Sequence, residues 1–418
     1  MNILVRFGKG SFALAGAALI ALFAFEHGYR VSAAGGLGQV PDDSFRVLAP
    51  IQSGNLLLFP VVRGAKAPGA TPFLTLDEGI KSEQVEVTEA GKVRGLVRPR
   101  MAPTIPFDGP YRPSPNPQPQ PYRGDQVNTL VLVNNSDKPL LLLAGEIVTG
   151  GKQDRVIAKD RIVPAGSDPI DLGVFCIEPG RWTDDTATFG ASAKAPGQSF
   201  MVQPTVREKA MVSKNQQEVW DSVHGAMNQL AVAASPRAIS PSTSIGGPRS
   251  NVVAGLGTSS YARAMQDSNV SAKVDEAAAP AMKSREQVLA QLRQQHAVGI
   301  VVAVRGEIVW ADLFADTDLL ARYWTKLVRS YAAESLLEGE RHTAPTIAEA
   351  QHFLDAPEGG TETSEGRVAV YRYRELRSGR TETFVLESLL PGTGYDVHIS
   401  KLKLRGEMRR ISSPQIYR

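Results

Sequence analysis

Between residues 125 and 182 the chain alternates short apolar runs with turn residues so densely that a β-fold is the natural outcome. Val127 to Val133 is a buried-strand run that stops at Asn134-Asn135-Ser136-Asp137. Pro139 to Ala144 is a second run. Arg155 to Val163 and Ile170 to Ile177 follow, parted by Pro164-Ala165-Gly166-Ser167-Asp168. Asn, Asp, Gly and Ser tolerate the backbone angles of tight turns or hydrogen-bond their own main chain there. Short strands at this spacing predict a sandwich or a barrel.

The flanking segments extend the pattern. Leu56 to Val62 is apolar but contains Pro60, which cannot donate to a ladder and so predicts an edge or bulged strand. Gln84 to Thr88 alternates like a half-buried strand. From residue 205 the period changes. Trp220, Val223, Met227 and Leu230 step by three and four, one face of a helix. Residues 233–260 are rich in Ser, Pro and Gly and read as a flexible insert. Ser284 and Gln287 form a capping-box pattern for a helix that ends near His296. A hairpin follows, with Val301 to Val304 and Ile308 to Ala311 around Arg305-Gly306. A further helix has Asp316 or Asp318 as N-cap and Leu320, Tyr323, Trp324, Leu327, Val328 and Tyr331 as its core stripe. Arg367 to Leu376, Arg380 to Leu386 and Tyr395 to Ile399 return to strand.

The fold class predicted is therefore α+β: a β-rich N-terminal half of sandwich or barrel type, central helices, and C-terminal antiparallel strands. Residues 36–340 read as one α+β domain with a Pro-rich insert at 101–124 and the flexible insert at 233–260. Residues 341–418 form a C-terminal β segment, either a small added domain or the completion of the first sheet. In the Pro-rich insert, proline recurs at nearly every second position from Pro113 to Pro121. Such a stretch is extended polyproline II and reads as a stiff loop or spacer.

The first 35 residues read as a signal peptide or membrane anchor. Arg6 and Lys9 precede the uncharged run Ser11 to Phe25, and Val31-Ser32-Ala33-Ala34 offers a cleavage site. The run is shorter than the ~20 residues that span a bilayer as a helix. The expectation is a bacterial periplasmic or extracellular protein, either released or held at the inner membrane by residues 11–25. Membrane contact is expected only through that segment.

Composition narrows the chemistry. A net charge of +3 over 418 residues gives no basic face, so nucleic acid is not an expected partner. The single cysteine, Cys176, excludes an intramolecular disulfide. The six histidines are scattered, with no HxH, HExxH or Cys/His cluster, so no metal and no cofactor is expected.

Candidate functional residues concentrate from Asn134 to Trp182. Gly150-Gly151 permits positive φ or close approach, and it directly precedes Lys152, Gln153, Asp154 and Arg155. Such a sequence can form an anion-binding concavity, although the P-loop spacing is absent. Strand alternation puts Leu172, Val174, Cys176 and Glu178 on one side, with Gly173, Phe175 and Ile177 on the other. A carboxylate at the rim of an apolar strand needs a partner, which Lys152, Arg155 or Arg181 would supply. Two readings stay open. Glu146, Arg155, Glu178 and Arg181 form a structural ion-pair network, or Glu146, Lys152, Gln153, Arg155, Glu178, Arg181 and Trp182 line a pocket for a small polar or anionic ligand. The rival class is a hydrolase with Glu146 and Glu178 as acid and base. A third is a structural envelope protein that acts through protein partners. A Cys176 nucleophile paired with His224 is the sharpest idea and the least specified by spacing.

Asn135, Gly145-Glu146, Gly150 to Arg155, Cys176-Ile177-Glu178, Arg181-Trp182, Gln217, Trp220, Val223 and Asp312-Leu313-Phe314 together resemble the ARG and rhodanese-phosphatase-superfamily-associated protein domain. The resemblance runs over roughly residues 45–340. It implies an uncharacterised domain with no established activity, and by association tilts the ligand toward nucleotide-like anions.

Overall fold

The computed structural model describes residues 45–64, 73–89, 129–151, 153–178, 188–191, 200–234, 253, 255–282, 285–356 and 360–404. The leader, the Pro-rich insert, Lys152, Ser284, Arg181 and Trp182 lie outside these residues.

The chain enters as β1 (Phe45–Val47), β2 (Ile51–Ser53) and β3 (Leu56–Arg63). The expectation of an edge strand at Pro60 is corrected here. β3 is flanked on both sides, by β1 and β2 on one and by a later strand on the other. Proline is tolerated because the carbonyl of Pro60 accepts from Leu48 N, in the break between β1 and β2. In an extended strand a residue's N–H and C=O point the same way. The missing donor therefore falls where no ladder bond is required.

A second β unit follows. It comprises β4 (Leu74–Thr75), the short helix α1 (Leu76–Lys81), β5 (Val85–Glu89), β6 (Thr129–Asn134), β7 (Leu140–Leu142), β8 (Ile147–Gly150), β9 (Arg155–Ile157), β10 (Arg161–Val163), β11 (Ile170–Cys176) and β12 (Thr188–Ala191). Thr75 and Glu78 cap α1 reciprocally. The expected single strand from Arg155 to Val163 is two strands, because the chain turns away at 158–160 and β10 joins a different sheet. Six of these strands close into a barrel in the order β11-β6-β5-β12-β8-β9. β10, β7 and β4 form a three-stranded sheet beside it. Val85, Val87, Leu130, Leu132, Val148, Ile157, Leu172 and Val174 belong to one buried apolar cluster that fills the barrel.

The middle of the chain is helical: α2 (Pro204–Glu208), a π-helical turn (Lys209–Ser213), α3 (Gln216–Ala234), α4 (Tyr261–Gln266), α5 (Ser268–Met282) and α6 (Arg285–Gln294). α3 buries Val219, Val223, Met227 and Leu230, with Trp220 only half-buried, so the predicted stripe is rotated by one residue. The flexible insert ends earlier than its composition suggests. Ser260 is fully buried and accepts from Arg263 N to start α4.

A nine-stranded antiparallel sheet completes the molecule. β13 (Ala297–Val304) and β14 (Glu307–Phe314) form the expected hairpin, with Arg305 at φ 54° and Gly306 at φ 84°. Two positive φ values are what a tight two-residue turn requires, and glycine meets that at no steric cost. α7 (Thr317–Ser335) and α8 (Ile347–Asp355) lead to β15 (Thr361–Arg367), β16 (Tyr371–Ser378), β17 (Thr381–Ser388) and β18 (Asp396–Lys403). The order is β1-β3-β13-β14-β18-β17-β16-β15, with β2 also on β3. The C-terminal strands therefore complete the first sheet. β13 is buried along its whole length, as a strand covered on both faces must be.

α7 is the strut between sheet and barrel. Asp316 caps it, and every residue of the predicted stripe is buried. Tyr323, Trp324 and Ser330 are buried with their polar atoms satisfied, because each reaches a different neighbour. Tyr323 Oη donates to Leu141 O at 3.0 Å, Trp324 Nε1 to Ala281 O at 3.1 Å, and Ser330 Oγ to Val202 O at 3.0 Å.

Candidate functional site

Strand direction gathers three of the predicted residues, Gln153, Arg155 and Glu178, at one end of the barrel. β5, β8 and β11 finish there at Glu89, Gly150 and Cys176, while β9 starts there at Arg155. The register confirms the level: Cys176 stands opposite Arg155, and Glu89 opposite Leu130 at the start of β6. Alternation from the interior residues Val87, Ile157 and Val174 turns Glu89, Arg155 and Cys176 inward.

Gln153, Arg155 and Glu178 come together at this end, all buried. The Arg155 guanidinium lies 3.8 Å from Glu89 and donates to the Gln153 carbonyl at 2.6 Å. Asp154 ties the turn down. Its side chain accepts from Gly150 N at 3.2 Å and from Ser260 Oγ at 2.5 Å, and its own N–H donates to Glu178 at 3.2 Å. Gly150 and Gly151 have φ of 126° and 53°, so the glycine pair is needed for the backbone path. Within this cluster the side-chain oxygen of Gln153 is buried without a hydrogen-bond partner.

Cys176 is fully buried, and burial pushes its thiol up to about 11 against the opposing charge of Arg155. That environment stabilises the thiol over the thiolate, the reverse of an activated nucleophile. Gln216 holds the strand end by accepting from Cys176 N at 2.9 Å and donating to Cys176 O at 2.8 Å.

Glu146 has a different set of partners. It accepts from Lys326 Nζ at 2.6 Å and from Leu143 N at 2.7 Å, and the same ammonium lies 2.5 Å from Asp77. Burial, then Asp77's negative charge, raises the Glu146 carboxyl above its ordinary value despite Lys326. Burial opposes the charge on Lys326, but Asp77 and Glu146 hold it well above the usual lysine range. The triad bolts α7 to α1 and the barrel.

The densest charged cluster escaped sequence reading. His398 Nδ1 lies 2.6 Å from Asp160, and Nε2 lies 3.2 Å from Asp312. Asp312 also accepts from Arg207 at 2.8 Å, from Ser400 at 2.6 Å and from Tyr331. All of these side chains are fully or almost fully buried. Burial disfavours the imidazolium, yet Asp160 and Asp312 outweigh it and push His398 up to about 9. Burial likewise disfavours the Asp312 carboxylate, but Arg207 and His398 hold it far below the usual range. The signal was available: Asp312 and His398 sit in strands whose neighbours are apolar, where an ionisable side chain needs partners.

The model of the ARG and rhodanese-phosphatase-superfamily-associated protein domain matches residues 44–402. The chain belongs to this family. The match extends beyond residue 340, so the ARPP-1 domain includes α8 and the C-terminal strands as well as the barrel. That agrees with the sheet, in which β18 pairs with β14. No curated protein and no solved structure matches the chain. The ARPP-1 domain is uncharacterised, so membership fixes the family and no activity.

Proposed function

We propose that the chain is a binding module that takes a small polar ligand at the Arg155 end of the barrel. One observation carries this reading: the Gln153 side-chain oxygen is buried there without a partner. An unpaired buried acceptor costs about 1–3 kcal/mol, which a donating ligand recovers. Beside it, the Arg155 guanidinium lies 3.8 Å from Glu89, and the carboxylates of Asp154 and Glu178 take part in the same turn, Glu178 accepting from Asp154 N. The described groups thus favour a ligand with hydroxyl, amide or ammonium donors over a bare anion. Anion binding would depend on Lys152 and Arg181, outside the described residues. Hydrolysis by Glu146 and Glu178 is the weaker reading, because the two carboxylates engage separate partners. In this proposal the apolar segment 11–25 delivers the module to the periplasm or cell surface.

The test is thermal unfolding of the full chain with sugars, sugar phosphates, nucleotides, ADP-ribose and cell-wall fragments. A ligand at a hundred times its Kd adds about 2.7 kcal/mol. The expected result is stabilisation by one chemical class, lost in Gln153→Met, while the unliganded variant is at least as stable as the parent because the unpaired acceptor is gone. No stabilisation by any class, or stabilisation that Gln153→Met leaves intact, would make this barrel end scaffold.

A further inference from the structure

Three stretches of chain far apart in sequence meet at a surface cleft of about 120 Å³. Lys159 comes from the break between β9 and β10, and Lys214 follows the π-helical turn. Thr363, Ser364 and Glu365 come from β15, Tyr373 and Glu375 from β16. The register sets Thr363 opposite Glu375 and Glu365 opposite Tyr373, so these four share one face of the sheet.

The charges alternate in sign around the cleft. Lys159 Nζ lies 2.8 Å from Glu365 Oε1 and 3.9 Å from Glu375 Oε1. Lys214 Nζ lies 2.8 Å and 2.5 Å from the two Glu375 oxygens. Partly exposed ion pairs such as these add little stability, so stability does not explain their convergence. Lys214 holds a left-handed backbone conformation, φ 51° and ψ 32°, that side chains other than glycine rarely adopt. Tyr373 lines the same cleft. It is 1 % exposed and its hydroxyl has no hydrogen-bond partner, although a buried phenol usually finds one. Burial, then the charges of Asp160, Glu375 and Glu365, holds this phenol well above its ordinary value, so it remains a donor.

We propose that the cleft binds a small zwitterion of the amino-acid class. Lys159, Lys214 and the Tyr373 hydroxyl take its carboxylate, and Glu365 and Glu375 take its ammonium. The charge balance selects this class. Two lysines and two glutamates sum to zero, so a bare anion would draw the lysines away from both carboxylates, and a bare cation would do the converse. A zwitterion replaces each lysine–glutamate contact with a ligand contact of the same sign pattern. Size points the same way. A cavity of about 150 Å³ holds a molecule the size of benzene, so this cleft has room for roughly five non-hydrogen atoms, the scale of glycine or alanine. None of its residues belongs to the barrel-end site.

Isothermal titration calorimetry of the full chain with glycine and alanine tests the proposal, with acetate and methylammonium as single-charge controls. The expected result is saturable binding of both zwitterions and none of the controls. Tyr373→Phe should weaken binding about 3- to 10-fold, the worth of one hydrogen bond. Lys214→Asn removes the charge but keeps a residue that tolerates the left-handed backbone, and should weaken it about tenfold or more. Gln153→Met should leave this binding unchanged, which separates the two sites. The proposal is overturned if neither zwitterion saturates the folded protein, if acetate binds as tightly as glycine, or if both cleft variants fold and bind like the parent.

Discussion

His398 Nδ1 lies 2.6 Å from Asp160 Oδ2, and this contact joins the last described strand to the turn by which the chain leaves the barrel after β9. Folding raises the His398 value from its ordinary 6.5 to about 9, so the folded state holds the proton more tightly. A group raised in this way contributes fully below about pH 6.5 and loses its contribution as pH climbs through about 9. The upper bound is of order 3 kcal/mol. The melting temperature should therefore fall between pH 6.5 and 9. His398→Gln should melt lower and show a flatter profile over that window. A parent protein equally stable at both ends would show that folding does not raise His398.

Arg207 and Asp312 are the second such pair, 2.8 Å apart, with the Arg207 guanidinium over the Trp310 ring. Arg207→Met leaves a buried carboxylate without its main partner, which costs about 3–5 kcal/mol. Arg207→Met combined with Asp312→Leu should recover part of that loss. Urea unfolding of the single and double variants measures both quantities, and the sign of their coupling decides.

Cys176 should resist alkylation. With its thiol pushed up to about 11, about one molecule in a thousand carries the thiolate at pH 8. Iodoacetamide should leave the native protein unlabelled over a time in which the urea-unfolded chain is fully labelled. Mass spectrometry reads the difference. Rapid native labelling would reopen the nucleophile reading.

Lys401 caps a helix that it does not belong to. Its ammonium donates to Leu354 O at 2.9 Å and Ala356 O at 2.7 Å, at the C-terminal end of α8. A cation is favoured there by the helix dipole and by the carbonyls left unpaired in the last turn. Lys401→Met should cost about 1–3 kcal/mol. Hydrogen exchange should quicken in α8 before it quickens in β13.

Elements with a strong local period were legible. The hairpin at Arg305-Gly306 and the stripe from Leu320 to Tyr331 are fixed by neighbours in sequence, and both stand where the pattern puts them. α5 was missed because its buried stripe, Val270, Val274, Ala278 and Ala281, is half alanine and weakly periodic. Ser260 looked like linker and is a buried cap, because the helix that needs it begins just after it. Of the candidate site, Gln153 and Arg155 stand out in the sequence because they follow the glycine pair, and strand alternation puts Cys176 and Glu178 on one face; all four are buried. Glu89 was not, because it is distant in sequence and only barrel closure brings it to Arg155.

The sequence by itself determined the α+β class, the central helix with its cap, the hairpin, the positive-φ glycines and the family. Each depends on composition or on contacts within a few residues. Tertiary structure alone decided that the β-rich half closes as a barrel, that the C-terminal strands complete the sheet, and that Asp160, Arg207, Asp312 and His398 share one buried network. Those relationships join residues up to 238 positions apart. Charge selects which side chains must pair once buried, but only the packed chain sets which charges meet.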